Sequence, residues 1–143
     1  IMGERSRFSK EVLDMIAYIE ETTADAERLT LVLAFNYSSR REITLGVQDI
    51  ARRVANGTLK AEDINEQTIA ESLMTAQMPD PDMIIRTSGE CRLSNFLLWQ
   101  SSYAEFYFPE TLWPDFTEEE FDKAIEVFSK RDRRYGLVTE TKE

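Results

Sequence analysis

Histidine is absent from the 143 residues. That removes the commonest general base and the commonest transition-metal ligand, so serine–histidine hydrolysis and zinc catalysis are excluded within this chain. Cysteine occurs once, at Cys91, which rules out an internal disulfide, leaves no dithiol for redox chemistry and fits a reducing compartment. Long hydrophobic runs are also missing. The longest, Leu31-Val32-Leu33-Ala34-Phe35, falls far short of the ~20 apolar residues that a membrane-spanning helix needs. Glu4, Arg5 and Arg7 precede no apolar stretch or small-residue cleavage site, so no signal peptide is read and the cytoplasm is the expected location. Basic residues are in deficit, 17 against 27 acidic ones, and the resulting charge of −10 disfavours nucleic acid as a partner.

What is present is the composition of one ordinary soluble domain, 42% hydrophobic, expected to span residues 1–143 without linker, repeat or low-complexity tract. After Ser9, a helix cap, the apolar positions Val12, Leu13, Ile16, Ala17 and Ile19 predict a helix to about Glu21. Residues 29–35 are almost wholly apolar and β-compatible, as expected of a strand buried on both faces of a parallel sheet. A turn at 36–39 leads into an amphipathic helix carrying Ile43, Val47, Ile50, Ala51 and Val54 on its apolar face and stopping at Asn56-Gly57. A shorter helix is expected over 65–74, then a rigid Pro79-Asp80-Pro81-Asp82 turn and a second buried strand, Met83-Ile84-Ile85. Residues 94–100 read as helix and 105–108 as strand. Thr117-Glu118-Glu119-Glu120 reads as a capping box, with Phe116 and Phe121 as its hydrophobic staple and Phe121, Ala124, Ile125 and Phe128 as the buried stripe of the helix that follows. The aromatics Trp99, Tyr103, Phe106, Tyr107, Phe108, Trp113 and Phe116 are dense enough to be expected mostly in the core, with some in a subunit contact. Alternating strands and helices give an α/β fold with a mostly parallel sheet flanked by helices.

Ligands of open α/β sheets bind outside the carboxyl ends of strands, and Met83-Ile84-Ile85 ends directly in Arg86-Thr87-Ser88-Gly89-Glu90-Cys91-Arg92-Leu93-Ser94. Two arginines, several hydroxyls and a glycine that admits close backbone approach are the parts of a phosphate cradle. Ser94 is also placed to cap the next helix, whose N-terminus would add to an anion site. The plainer alternative is that Arg86 and Arg92 pair with surface carboxylates.

An ordered series of motifs extends this reading. Asn36-Tyr37-Ser38-Ser39-Arg40 resembles the Asn-Tyr-Gly-Gly-Arg turn of the cis-prenyltransferases of the undecaprenyl diphosphate synthase type. Arg86-Thr87-Ser88-Gly89-Glu90 and Arg92-Leu93-Ser94-Asn95-Phe96-Leu97-Leu98-Trp99-Gln100 resemble that family's C-terminal signature, and Tyr103-Ala104-Glu105, Leu112-Trp113-Pro114-Asp115-Phe116 and Arg134-Tyr135-Gly136 continue in register. The resemblance implies a Mg²⁺-dependent condensation of isopentenyl diphosphate with an allylic diphosphate to give a long cis-polyprenyl diphosphate. It implies that Arg86, Arg92 and Ser94 hold the diphosphate of isopentenyl diphosphate, with Asn36 and Arg40 as further substrate contacts. Glu105 would lie beside the metal, orienting metal-bound water or an arginine. It also implies a homodimer in which Arg134 and Gly136 complete the neighbouring subunit's site, residues 29–35 lining a tunnel for the growing chain, and peripheral membrane contact through the lipid product. Each assignment has a structural counterpart: a strand-start carboxylate for Glu105, local turn structure for Asn36 and Arg40, and cations complementing a helix end for the basic tail Lys130-Arg131-Asp132-Arg133-Arg134.

Three departures accompany the match. The family's N-terminal Asp-Gly-Asn loop, which supplies the principal Mg²⁺ carboxylate, has no counterpart, and neither has the central loop that closes over substrate. Ile1-Met2-Gly3 resembles the end of a family strand, so the sequence is expected to begin mid-domain, with no catalytic residue of its own and no elongation activity alone. Cys91 stands where family members often carry a hydrogen-bonding side chain. Two rival functions stay open: a non-catalytic partner subunit of a heteromeric cis-prenyltransferase, and a general phosphate-binding module.

Overall fold

The structure, a computed structural model, describes residues 1–131. They fall into two compact units, residues 1–79 and residues from 80 onward.

In the first unit, α1 (Lys10–Thr22) starts where expected, with the Ser9 hydroxyl accepting a hydrogen bond from the Val12 N–H at 3.4 Å. The Thr22 and Thr23 hydroxyls donate to the carbonyls of Tyr18 and Ile19 and close its far end. Only Ile16 of its apolar face is buried. Residues 29–35 do not form the doubly buried strand that their composition predicts. A single parallel bridge joins Ala34 to Met2, made by the Met2 N–H on the Leu33 carbonyl and the Phe35 N–H on the Met2 carbonyl, both 2.9 Å. Leu29 and Leu31 are exposed, and among the described residues the segment's only bridge is to Met2.

Helix α2 (Ser39–Ala55) ends at the predicted Asn56-Gly57, where Gly57 takes φ +77° and the Asn56 amide oxygen accepts from the Thr58 N–H and hydroxyl. Its buried face differs from the predicted one. Ser39, Glu42, Gly46 and Ile50 are buried, while Val47 is exposed. Spacings of three and four residues keep those four on one side of the helix. The polar, small stripe faces α3 (Glu66–Ala70) and the turns after it: a Cβ on Gly46 would lie 3.0 Å from the Ser72 carbonyl oxygen. Helix α3 is shorter than expected and opens on a reciprocal capping box between Asn65 and Thr68.

In the second unit, β1 (Met83–Ile85) and β2 (Glu105–Tyr107) pair in parallel, Met83 opposite Glu105, Ile84 opposite Phe106 and Ile85 opposite Tyr107. Both strands lie where predicted. The helix expected over 94–100 is not formed, because Ser94, Asn95 and Leu97 have φ of +49°, +64° and +47°, incompatible with a right-handed helix. Ser94 therefore caps nothing, and a 3₁₀ turn, Gln100–Tyr103, carries the chain to β2. Helix α4 (Glu118–Ser129) begins at Thr117, but the predicted capping box is not made. The Thr117 hydroxyl instead holds the Glu119 carboxyl below its ordinary pKa, and Glu120 accepts from Thr111 and Lys123. Of the predicted stripe only Ala124 is buried; Phe121 and Ile125 are exposed, as are Tyr103 and Trp113 of the aromatic group. Phe106 stacks on Phe108 and Trp113 on Phe116, with centroids 5.8 and 6.1 Å apart.

Candidate functional site

The parallel pairing decides what the end of β1 presents. The Arg86 N–H donates to the Tyr107 carbonyl at 3.0 Å, the Ser88 N–H to Thr111 and the Gly89 N–H to Pro109, both at 2.8 Å. These bonds tie the loop down as it turns back through left-handed residues, Ser88 at φ +73° and Gly89 at +64°. Gly89 serves that conformation rather than close packing, since a Cβ there would meet only Glu110, at 3.8 Å. The loop then folds over the strand end. Nη1 of Arg86 donates to the Ser94 hydroxyl at 2.8 Å and to the Arg92 carbonyl, and Arg92 itself is paired with Glu90. Arg86 thus meets Ser94 and the Arg92 backbone, whereas the Arg92 guanidinium follows the plainer alternative and pairs with a nearby carboxylate, Glu90. Non-glycine residues held at positive φ cluster at functional sites because the strain of ~1 kcal/mol or more each persists only where surroundings dictate it. Ser88, Ser94, Asn95 and Leu97 form such a cluster.

Beneath the arginine lies a cleft of about 280 Å³ lined by Ile84, Ile85, Arg86, Leu93, Ser94 and Phe96. Its walls are apolar and its rim carries one guanidinium and one hydroxyl, an arrangement that suits a small ligand with an anionic head and a hydrocarbon body. The Cys91 thiol donates to the Gly89 carbonyl at 3.6 Å.

Glu105 opens β2, its N–H on the Asp82 carbonyl at 2.9 Å. Its carboxylate accepts from Nη1 of Arg131 at 3.0 Å, in a partly exposed ion pair. Among the described residues no group of three or more histidine, cysteine, aspartate or glutamate side chains could hold a metal. Magnesium needs less than that, because it keeps several waters and takes one or two carboxylates beside substrate phosphates. Glu105 fits as such a single contributor.

The first unit holds the other candidates. Asn36, at φ +50°, donates from Nδ2 to the Glu4 carbonyl at 2.8 Å, and the Glu4 N–H returns to the Asn36 carbonyl at 3.3 Å. Arg41 grips the Glu4 carboxylate with two bonds of 2.9 Å, which hold that carboxyl below its ordinary pKa. A polar cleft of about 600 Å³ here is lined by Glu4, Ser6, Arg7, Asn36, Tyr37, Ser38 and Arg41. Arg40, in the first turn of α2, is not among its lining residues; Arg41 is. Glu42, 1% exposed, accepts from the Tyr37 hydroxyl at 2.7 Å and from the Met74 N–H at 2.9 Å, so it fixes the turn from behind. Leu29, Leu31 and Leu33 share a groove of about 390 Å³ with Ile1 and Ile19. Arg134 and Gly136 lie outside the described residues.

Glu4, Arg41, Glu42 and Arg131 were not singled out from the sequence. The bonds of Glu4 to Arg41 and of Arg131 to Glu105 span 37 and 26 residues and leave no local pattern. For Glu42 a signal existed, since Gly46 sits one turn along the same face and marks a close helix contact.

A family profile described as putative undecaprenyl diphosphate synthase matches residues 1–136. The chain belongs to this cis-prenyltransferase family. Among its relatives in the family, an isoprenyl transferase of Agrobacterium fabrum is 50% identical over 140 residues, which are 98% of this chain and 57% of that protein. One from Thermotoga maritima is 49% identical over 136 residues, 95% of this chain and 58% of the relative. The chain therefore spans a little over half the length of these relatives. The crystal structure of lavandulyl diphosphate synthase from Lavandula x intermedia in complex with dimethylallyl diphosphate superposes with a TM-score of 0.92 at 37% identity, covering 95% of this chain and 58% of that one. A probable undecaprenyl diphosphate synthase from Campylobacter jejuni gives 0.80 at 38% identity over 95% of this chain and 61% of its own. The cis-prenyltransferase fold, α/β with a parallel sheet, follows for this chain as expected.

Proposed function

We propose that this chain provides the isopentenyl diphosphate half of a cis-prenyltransferase that makes a long polyprenyl diphosphate. The observation that carries the reading is the Arg86 guanidinium on the Ser94 hydroxyl and the Arg92 carbonyl, at the carboxyl end of a parallel strand and lining an apolar cleft. In this reading the guanidinium groups exchange their internal oxygen partners for diphosphate oxygens, and the Ser94 hydroxyl adds a neutral bond beside them. The isopentenyl body lies along Ile84, Ile85 and Phe96. Held there, its terminal alkene carbon faces the allylic carbon as a carbon–carbon bond forms, the allylic diphosphate departs and a proton is lost from the isopentenyl unit. Glu105 would help to hold Mg²⁺, which when bound would supply charge neutralisation for the departing diphosphate. Asn36 and Arg40 border the substrate. The working protein is a homodimer in which Arg134 and Gly136 complete the partner's isopentenyl site, and its lipid product brings it to the membrane surface. No described helix is long and apolar enough to cross a membrane.

Alanine at Arg86 or Arg92 of the full-length protein tests the reading. Each loses a charge-assisted bond worth about 1.5–3 kcal/mol, so kcat/KM for isopentenyl diphosphate falls about tenfold or more. Unchanged steady-state kinetics in both variants would remove the assignment.

A further inference from the structure

Among the described residues, the pair between Arg131 and Glu105 joins the candidate metal-side carboxylate to a cation from a distant element. Arg131 follows α4, where its N–H bonds to the Phe128 carbonyl at 3.0 Å. Its side chain crosses to the start of β2 and donates to Oε2 of Glu105 at 3.0 Å. The two side chains differ in freedom. That of Glu105 is 23% exposed and is rooted in the β1–β2 ladder, whereas that of Arg131 is 47% exposed. The carboxylate thus keeps its place when its partner leaves. A divalent cation and a guanidinium compete for the same oxygens, and both bind only the ionised carboxylate.

We propose that Arg131 is a positioning residue that holds Glu105 in reserve: it occupies the carboxylate until a divalent cation, arriving with diphosphate, takes its place. The inference rests on the reading of Glu105 as a metal-side carboxylate and adds a built-in competitor to it. Arg131 aims the Glu105 side chain and prevents it from capturing a cation without substrate. Metal affinity at the site is set below the intrinsic affinity of the carboxylate. An exposed or half-exposed ion pair shifts an equilibrium by about 1.5- to 5-fold, which is the range in which the competition is read.

Binding of Mn²⁺ to the full-length protein, followed by loss of the free-ion electron paramagnetic resonance signal with isopentenyl diphosphate present, measures it directly. Arg131→Gln is expected to tighten Mn²⁺ binding about two- to fivefold, and Arg131→Lys to leave it near the parent value. In a Glu105→Gln background, Arg131→Gln is expected to have no further effect. Mn²⁺ affinity that is unchanged or weaker in Arg131→Gln, while Glu105→Gln weakens it, overturns the competition and leaves the metal-side reading of Glu105 standing. If Glu105→Gln leaves Mn²⁺ affinity unchanged, the reading of Glu105 falls and the proposal with it.

Discussion

Replacing Glu42 by alanine probes the contact that holds the Asn36 turn in place. This carboxylate accepts from the Tyr37 hydroxyl at 2.7 Å and from the Met74 N–H at 2.9 Å, and the residue is 1% exposed. Each bond to a charged acceptor is worth about 1.5–3 kcal/mol, and a donor left unpaired away from water costs about 1–3 kcal/mol. Tyr37 and Met74 are half-buried, so water replaces part of what is lost, and the expected destabilisation is about 2–4 kcal/mol. Glu42→Gln keeps the volume and one acceptor oxygen and is expected to cost about half as much. Tyr37→Phe removes one bond only. Because that bond is also absent in Glu42→Ala, the two substitutions are expected to be non-additive by about 1 kcal/mol. Urea unfolding of the full-length variants gives all four corners of the cycle. A Glu42→Ala protein within about 0.5 kcal/mol of the parent, or strict additivity with Tyr37→Phe, would refute the reasoning, since neither is compatible with a buried carboxylate serving as a shared acceptor.

Gly46→Val is expected to lower stability by about 1–3 kcal/mol, read from the same unfolding curves, because its Cβ would stand 3.0 Å from the Ser72 carbonyl. The Glu4 carboxyl lies below its ordinary value of 4.5, chiefly through the hydrogen bond from Arg41. Its contribution to stability is therefore present above that value and lost as pH falls through the lower, folded-state value. The difference in unfolding midpoint between the parent and Arg41→Gln should be larger at pH ~7 than at pH ~3, and a difference independent of pH would contradict it. Full-length Arg92→Ala and Arg134→Ala are each expected to be nearly inactive, while their re-equilibrated mixture recovers activity through a heterodimer with one intact site. No recovery despite confirmed subunit exchange would place Arg134 in its own subunit's structure.

Sequence reasoning reached what rests on local chemistry. Ser9 and Asn56-Gly57 bound their helices because a hydroxyl and a left-handed position act within a few residues. The β1 and β2 triplets, and the meeting of Arg86 with Ser94 and the Arg92 backbone beyond them, follow from short apolar runs and their flanking motifs. The same reasoning failed where the outcome depends on distant partners. Residues 29–35 have a strand's composition, but a strand is defined by its neighbours, and among the described residues only Met2 is one. Residues 94–100 contain good helix formers such as Leu97 and Leu98, yet the Arg86 guanidinium on Ser94 and three left-handed residues impose a tighter path. On α2 the apolar count favoured Val47, while packing chose Glu42 and Gly46, because space and a hydrogen-bond partner outweighed hydrophobicity.

The left-handed residues of the 86–97 loop bear on how quickly and how selectively a small anion is captured. Main-chain bonds from Arg86, Ser88 and Gly89 to residues 107–111 fix the near half of the loop without any ligand, while the Arg86 guanidinium on Ser94 and the Arg92 carbonyl holds the far half. The loop's conformational entropy is surrendered during folding, so little is left to lose when a diphosphate arrives. In the proposed function, capture is then expected to run at a rate set by diffusion and by exchange of Glu90 off Arg92 and of Ser94 and the Arg92 carbonyl off Arg86, rather than by a slow ordering step. The corollary is intolerance of shape: an anion that does not fit the tied-down backbone of residues 86–89 is expected to find no alternative loop conformation of comparable energy to receive it.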